Sequence, residues 1–182
     1  MGTDVRCHLE YRERDRWVGF GQGFALRRDY ELFRLLANVR GTGALYPPRG
    51  VPRDTDEPVR DAYCLRVYPG DSAAAAQRGR GLIATRAEAE EYVARGVSAW
   101  WDARQGFVTD PESTGASWLT TAEWRAVLAY YDAHIAEYLA AQGRDVGRAA
   151  VWLDIQCRMV LAAMTAAEER GQPARCVFWF VR

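Results

Sequence analysis

The segment Tyr46-Pro47-Pro48-Arg49-Gly50-Val51-Pro52 sets an arginine in a stretch of chain with little freedom. Two consecutive prolines hold an extended backbone, and the glycine lets the chain turn. An arginine presented this way meets a carboxylate or phosphate at low entropic cost. The competing reading is an internal ion pair with a neighbour such as Asp54 or Asp56. Tyr46 and the more distant Trp118 are candidates for a stacking face beside Arg49. Asn38 and Arg40 end the preceding helical segment and run into this loop, where they could line the same cleft. Their structural alternative is to satisfy the last carbonyls of that helix.

His8 and His134 are the only histidines, so a Ser-His-Asp or Cys-His pair would need one of them. His8 lies between Arg6 and Glu10 on a polar strand face, with Glu10 or Asp29 as a candidate acid. His134 flanks a helical stripe beside Tyr131 and Tyr138. Neither stands in a G-x-S-x-G setting. No two His or Cys residues stand at zinc-ligand spacing, so neither a metal nor a cofactor is implied. Gly19-Phe20-Gly21-Gln22-Gly23 is glycine-rich but follows a hairpin arm, whereas phosphate-cradling loops need a parallel βα unit. Arg78-Gly79-Arg80-Gly81 is a single short RG repeat without interleaved aromatics, a weak signal for single-stranded nucleic acid. Trp100, Trp101 and Trp118 stand near loops and could stack on a base or fill a partner's pocket, with core packing as the alternative.

The chain has 182 residues, which suits one domain or one domain with an elaborated loop. Acidic and basic residues number 24 each, and every basic one is arginine. Each cation is therefore a planar forked donor, and lysine chemistry such as a Schiff base is excluded. The balanced charge argues against a dedicated duplex-binding protein. Cys7, Cys64, Cys157 and Cys176 form no C-x-x-C pair, and no leader pattern precedes them. Reduced thiols and a cytoplasmic location are expected. No apolar run reaches membrane-spanning length.

The elements that must position these residues read as follows. Val5, Cys7, Leu9 and Tyr11 alternate with Arg6, His8 and Glu10, a half-buried strand. Arg16-Trp17-Val18-Gly19-Phe20 returns as the second arm of a hairpin. Asp29 caps a helix from Tyr30 to Arg40 that is apolar almost all round, and hence buried. Thr85-Arg86-Ala87-Glu88 and Thr120-Thr121-Ala122-Glu123 are capping boxes, the first opening a short helix and the second a long one. Trp124, Leu128, Tyr131, Ile135 and Tyr138 form one stripe of that long helix. A second long helix over 148–170 is expected to bury Trp152, Ile155, Met159 and Ala163, with Asp154 paired to Arg158. Residues 69–82 and 110–115 read as loops, and 97–102 as a short strand. Arg175 to Arg182 carries aromatic and β-branched residues on both faces, which predicts a central strand. The expected fold class is α+β: an antiparallel sheet built from the N-terminal hairpin and the C-terminal strand, packed against two long helices and one short buried helix.

The chain resembles a family of small uncharacterised proteins encoded by bacteriophages and by bacterial, often prophage-bearing, genomes. The resemblance rests on Asp29-Tyr30-Glu31-Leu32-Phe33 through Leu36-Ala37-Asn38-Val39-Arg40, then Pro47-Pro48-Arg49-Gly50-Val51-Pro52, Ser117-Trp118-Leu119-Thr120 and Val177-Phe178-Trp179-Phe180. Relative to shorter members, the stretch from Cys64 to Val108 looks like an insertion in a single domain of residues 1–182. The family pattern has an Asp-His pair shortly before Ser-Trp-Leu. This chain has Ser113-Thr114-Gly115-Ala116 there, which counts against a catalytic role. The resemblance implies an accessory role, such as antagonising a host defence system from the host cytoplasm.

The leading expectation is a non-enzymatic binding protein. Its partner is a small anionic ligand, nucleotide-like in kind, or a host protein, and a homo-oligomer is compatible with it. Arg49, Arg40, Asn38, Tyr46, Trp118 and His8 are the candidate contacts. The alternatives are a small hydrolase or transferase using His8, and a structural or assembly protein.

Overall fold

A computed structural model describes residues 3–67, 83–101, 106–141, 143 and 146–181. The expected loop at 69–82 with its RG repeat lies outside the described residues, as do the side chains of Trp100, Trp101, Tyr138, Trp152 and Asp154. The fold class is α+β. The chain divides into two units, Met1–Asp56 with Thr114–Arg182, and Glu57–Ser113.

The first unit is built on a five-stranded sheet. Its strands are β1 (Asp4–Glu13), β2 (Arg16–Gly19), β3 (Phe24–Leu26), β8 (Ser113–Thr120) and β9 (Ala174–Val181). β9 lies between β1 and β8, while β2 and β3 share the other edge of β1. β1 and β9 are antiparallel, with Val5 opposite Phe180, Cys7 opposite Phe178 and Leu9 opposite Cys176. Facing residues of paired strands share a side of the sheet, so these six point one way. Arg6, His8 and Glu10 point the other way with Trp179, Val177 and Arg175. The central position read from the C-terminal strand is the observed one, and its residues from Ala174 to Phe180 are all buried.

Helices α1 (Tyr30–Ala37), α4 (Thr121–Ala141) and α5 (Val146–Glu168) share one core with the Val5–Phe180 side. Asp29 caps α1 by accepting from the Leu32 amide at 2.8 Å, and its second oxygen accepts from the Tyr131 hydroxyl at 2.8 Å. One aspartate thus caps a helix and ties it to α4. The Trp124 indole of α4 donates to the Cys157 carbonyl of α5 at 3.1 Å.

Two differences from the sequence reading have local physical causes. Helix α1 stops at Ala37 rather than Arg40, because Asn38 turns left-handed (φ 58°) and its side-chain oxygen accepts from the Ala44 amide at 2.6 Å. Asparagine tolerates that backbone better than most residues. Helix α5 buries Cys157, Val160, Met164 and Ala167, not the expected stripe; Ile155 is 48% exposed and Met159 66%. Arg158 pairs with Asp132 of α4 at 2.9 Å. The helix carries apolar residues on more than one face, and α4 and the sheet select which face is covered.

The second unit holds α2 (Glu57–Tyr63), β4 (Cys64–Val67), β5 (Ile83–Ala84), α3 (Arg86–Ala94), β6 (Ala99–Trp101) and β7 (Gly106–Thr109). Its four strands run in the order β5-β4-β7-β6, with β4 and β5 parallel and the other pairs antiparallel. The Thr85–Glu88 capping box is formed in both directions. Leu65, Val67, Ala84, Ala89 and Val108 make its small core. Among the described residues, no helix is long and apolar enough to cross a membrane.

The choice of buried face on α5 has a direct check. Met164→Ala should cost about 2 to 5 kcal/mol by denaturant unfolding. Met159→Ala, on the exposed face, should cost under about 0.5 kcal/mol. Equal costs would contradict the observed helix orientation.

Candidate functional site

The side of the sheet opposite the helices carries charge in its interior. Glu10 is fully buried and Arg175 is 3% exposed, and they face each other across β1 and β9. The Arg175 Nε donates to Glu10 Oε2 at 2.6 Å. The other Glu10 oxygen accepts from the Thr55 hydroxyl and from the Asp56 amide, both at 2.6 Å. A buried carboxylate needs such a full set of donors to stay ionised at tolerable cost. Arg175 Nη1 donates to Asp54 Oδ1 at 3.0 Å, and the Trp17 indole donates to Asp54 Oδ2 at 3.0 Å. Asp56 accepts from the Gly19 amide at 2.7 Å. Residues 54–56 therefore lie over this face because the buried pair and the β2 edge hold them there.

The guanidinium groups also stack. Arg175 lies 3.9 Å from the Trp17 ring centre and 5.9 Å from that of Trp118. Arg49 lies 4.7 Å from the Trp118 centre and 5.8 Å from that of Tyr46. Arginine planes and aromatic rings thus form a row from Tyr46 through Arg49, Trp118 and Arg175 to Trp17, with each contact in cation–π range. The Pro47–Pro52 loop is fastened to β8: the Arg49 amide donates to Ser117 Oγ at 3.1 Å and the Gly50 amide to the Ala116 carbonyl at 3.0 Å.

Arg49 is not a free cation. It forms a two-pronged pair with Glu123, at 3.0 and 2.5 Å. Glu123 also accepts from the Thr120 amide in the capping box that opens α4. The Arg49 contact holds the Glu123 carboxyl below its usual range, with the Thr120 bond adding to the effect. The internal-pair alternative for Arg49 thus holds, with Glu123 as the partner instead of Asp54 or Asp56. Sequence offered no signal for that choice, since the two residues stand 74 positions apart.

The remaining sequence candidates scatter. Tyr46 and Trp118 join Arg49. Asn38 caps α1, and Arg40 reaches the Thr3 hydroxyl at 3.2 Å and the Tyr30 ring at 5.6 Å. His8 shares the Glu10–Arg175 side of the sheet and stacks on Trp179, with ring centres 4.9 Å apart. Burial, with the nearby Arg6 charge adding to it, pushes the His8 imidazole down to about 4. His134 is exposed and contacts the Tyr130 carbonyl. Arg175, Glu10 and Trp17 were not singled out as binding residues by sequence. The only signal was the unusual position of an arginine at the head of an otherwise apolar strand.

No family model matches the chain, and neither a curated protein nor a solved structure matches it.

Two outcomes follow from this geometry. Glu10→Ala should destabilise the protein by about 3 to 5 kcal/mol, since it takes from the buried Arg175 guanidinium its buried carboxylate partner and leaves it only the exposed Asp54. Replacing Glu10 and Arg175 together by methionine should cost clearly less than the sum of the single losses in a double-mutant cycle. His8 is the second case. Its folded value lies below the ordinary 6.5, so the unfolded chain takes up a proton that the folded chain refuses. Its contribution to stability is complete above that value and is lost as the pH falls from 6.5 towards 4, by about 3 kcal/mol in full. Urea unfolding from pH 7 to 5 should show this slope in the wild type and a shallower one in His8→Phe. Parallel slopes would refute the assignment.

Proposed function

We propose that this chain is a non-enzymatic binding protein, an accessory protein of phage or prophage type, whose ligand is nucleotide-like. The observation that carries the reading is the row of arginine and aromatic planes from Tyr46 to Trp17. Aromatic side chains and arginine planes are the usual platforms for a flat heterocycle, and stacking on an aromatic is worth about 1 to 3 kcal/mol per base. The row is rigid before any ligand arrives. Its loop is pinned to β8 at Arg49 and Gly50, Arg49 is locked by Glu123, and Arg175 by Glu10. Such preorganisation lowers the ordering cost of binding.

The acids considered for His8 are committed elsewhere, which supports binding over turnover. Glu10 is held by Arg175 and Thr55, and Asp29 by Leu32 and Tyr131. His8 lies in the sheet face as a stacking ring.

Thermal unfolding with a panel of nucleosides and nucleotides tests the reading. A ligand at a hundred times its Kd should raise the stability by about 2.7 kcal/mol. Trp118→Ala, shown folded by circular dichroism, should lose that shift. A flat response to the whole panel at millimolar concentration rejects the nucleotide-like ligand.

A further inference from the structure

Along α5, Ile155, Met159, Ala162, Ala166 and Glu169 stand at alternating spacings of four and three, which sets them in one line on the helix. All five are exposed, and Met159, at 66%, is the most exposed large apolar side chain among the described residues. Glu169 belongs to the line because its amide still bonds the Thr165 carbonyl, four positions back, at 2.9 Å. Beside the line, between α5 and the sheet, lies a cavity of about 340 Å³ lined by Leu9, Phe24, Val160 and Ala163, with Met159 in its wall. Leu9 and Phe24 are only half-buried. An apolar surface thus runs from the outer side of the helix onto the sheet, and a contiguous surface of this kind marks an interaction site.

The order of sizes and charges along α5 says what covers it. The large residues occupy the first half of the line and the alanines the second. Two such helices packed parallel would set Met159 against Met159 and leave a gap at the alanines. Packed antiparallel about a twofold axis at Ala162 and Ala163, they set each Met159 over the other copy's Ala166, so large meets small at both ends of the crossing. The charges fit the same register. The Arg27 amide donates to Gln156 Oε1 at 2.8 Å, which places Arg27 beside that turn of α5. Glu169 lies roughly 20 Å further along the helix. Among the described residues, the ion pairs bordering this face are Arg158 with Asp132 and Arg28 with Asp4, while Arg27, Glu168, Glu169 and Arg170 enter none. Glu169 also stands at the end of the helix where the dipole disfavours an anion that no cation meets. Gln156 and Glu169 are equidistant from the Ala162–Ala163 crossing. The axis that sets Met159 over Ala166 therefore also brings Arg27 of one copy to Glu169 of the other, twice. Arg170 follows Glu169, and in this register its aliphatic stem lies over the other copy's Ile155.

We infer that this face of α5 is a dimer interface, on which a second copy of the chain packs its own α5 antiparallel. A small apolar molecule in the cavity would leave Ile155 and Met159 in water. A helix of another protein would have to bring the order of sizes and charges that this chain already carries. The surface lies on the helix side of the sheet, opposite the row of arginine and aromatic planes, so the inference is independent of the ligand reading.

Sedimentation velocity of the full chain over roughly 1 to 100 μM is the test. Twice the chain mass is expected at the upper end. Met159→Asp, with circular dichroism unchanged, should weaken the dimer more than about tenfold, because the substitution acts at two symmetric places. Arg27→Glu and Glu169→Arg should each weaken it about fivefold, and the two together should return the dissociation constant to within about threefold of wild type. A monomer at every concentration overturns the inference and leaves the surface to a helix of another protein or to an apolar ligand. A dimer indifferent to Met159→Asp places the interface elsewhere and overturns it too. So does a Met159-sensitive dimer that the double charge exchange fails to restore, because the antiparallel register is then wrong.

Discussion

A charged pair is buried in the first unit, and much of that unit's arrangement follows from it. Glu10 and Arg175 face each other across the two central strands with almost no exposure. Withdrawing two ions from water is costly, and their mutual attraction compensates only when the remaining lone pairs and protons are also met. The chain meets this demand with Thr55, the Asp56 amide and Asp54, all from one irregular segment. The same segment bonds the β2 edge through Trp17 and Gly19. A loop that looks unstructured in sequence is thereby held to one path by a carboxylate lying 45 positions earlier.

The two sides of the large sheet do different work. On the helix side, Phe33, Phe178, Phe180 and Trp124 make an apolar core, with edge-on ring contacts at centre distances of 5.0 to 6.5 Å. Close packing there leaves little room for a changed backbone: a Cβ added at Gly115, where φ is +61°, would lie 2.8 Å from Val39 and 3.0 Å from Phe180. The other side has aromatic rings too, but interleaved with arginines and carboxylates. It is stiff because its charges are paired and its planes are stacked. A stiff polar surface is suited to recognition, since its groups are oriented before contact.

Glycine at position 23 shows how tightly the second side is fitted around His8. A Cβ there would fall 2.1 Å from the His8 Nε2. The imidazole is therefore confined between that backbone and Trp179, and burial keeps it neutral well below physiological pH.

Sequence by itself determined what local rules control. The alternation from Val5 to Tyr11 was readable because a strand repeats every two residues. The caps at Asp29, Thr85 and Thr120 were readable because each is completed within three positions. The central place of the last strand was readable from apolar residues on both its faces. Tertiary structure decided the rest. The buried face of α5 was left open because its apolar residues allow more than one stripe, and only α4 and the sheet choose between them. The partners of Arg49 and Arg175 stand 74 and 165 positions away in sequence, so strand register and loop path select them, not spacing. The site is made of such long-range pairs, and for that reason the sequence named Tyr46, Arg49 and Trp118 without revealing the buried charge pair behind them.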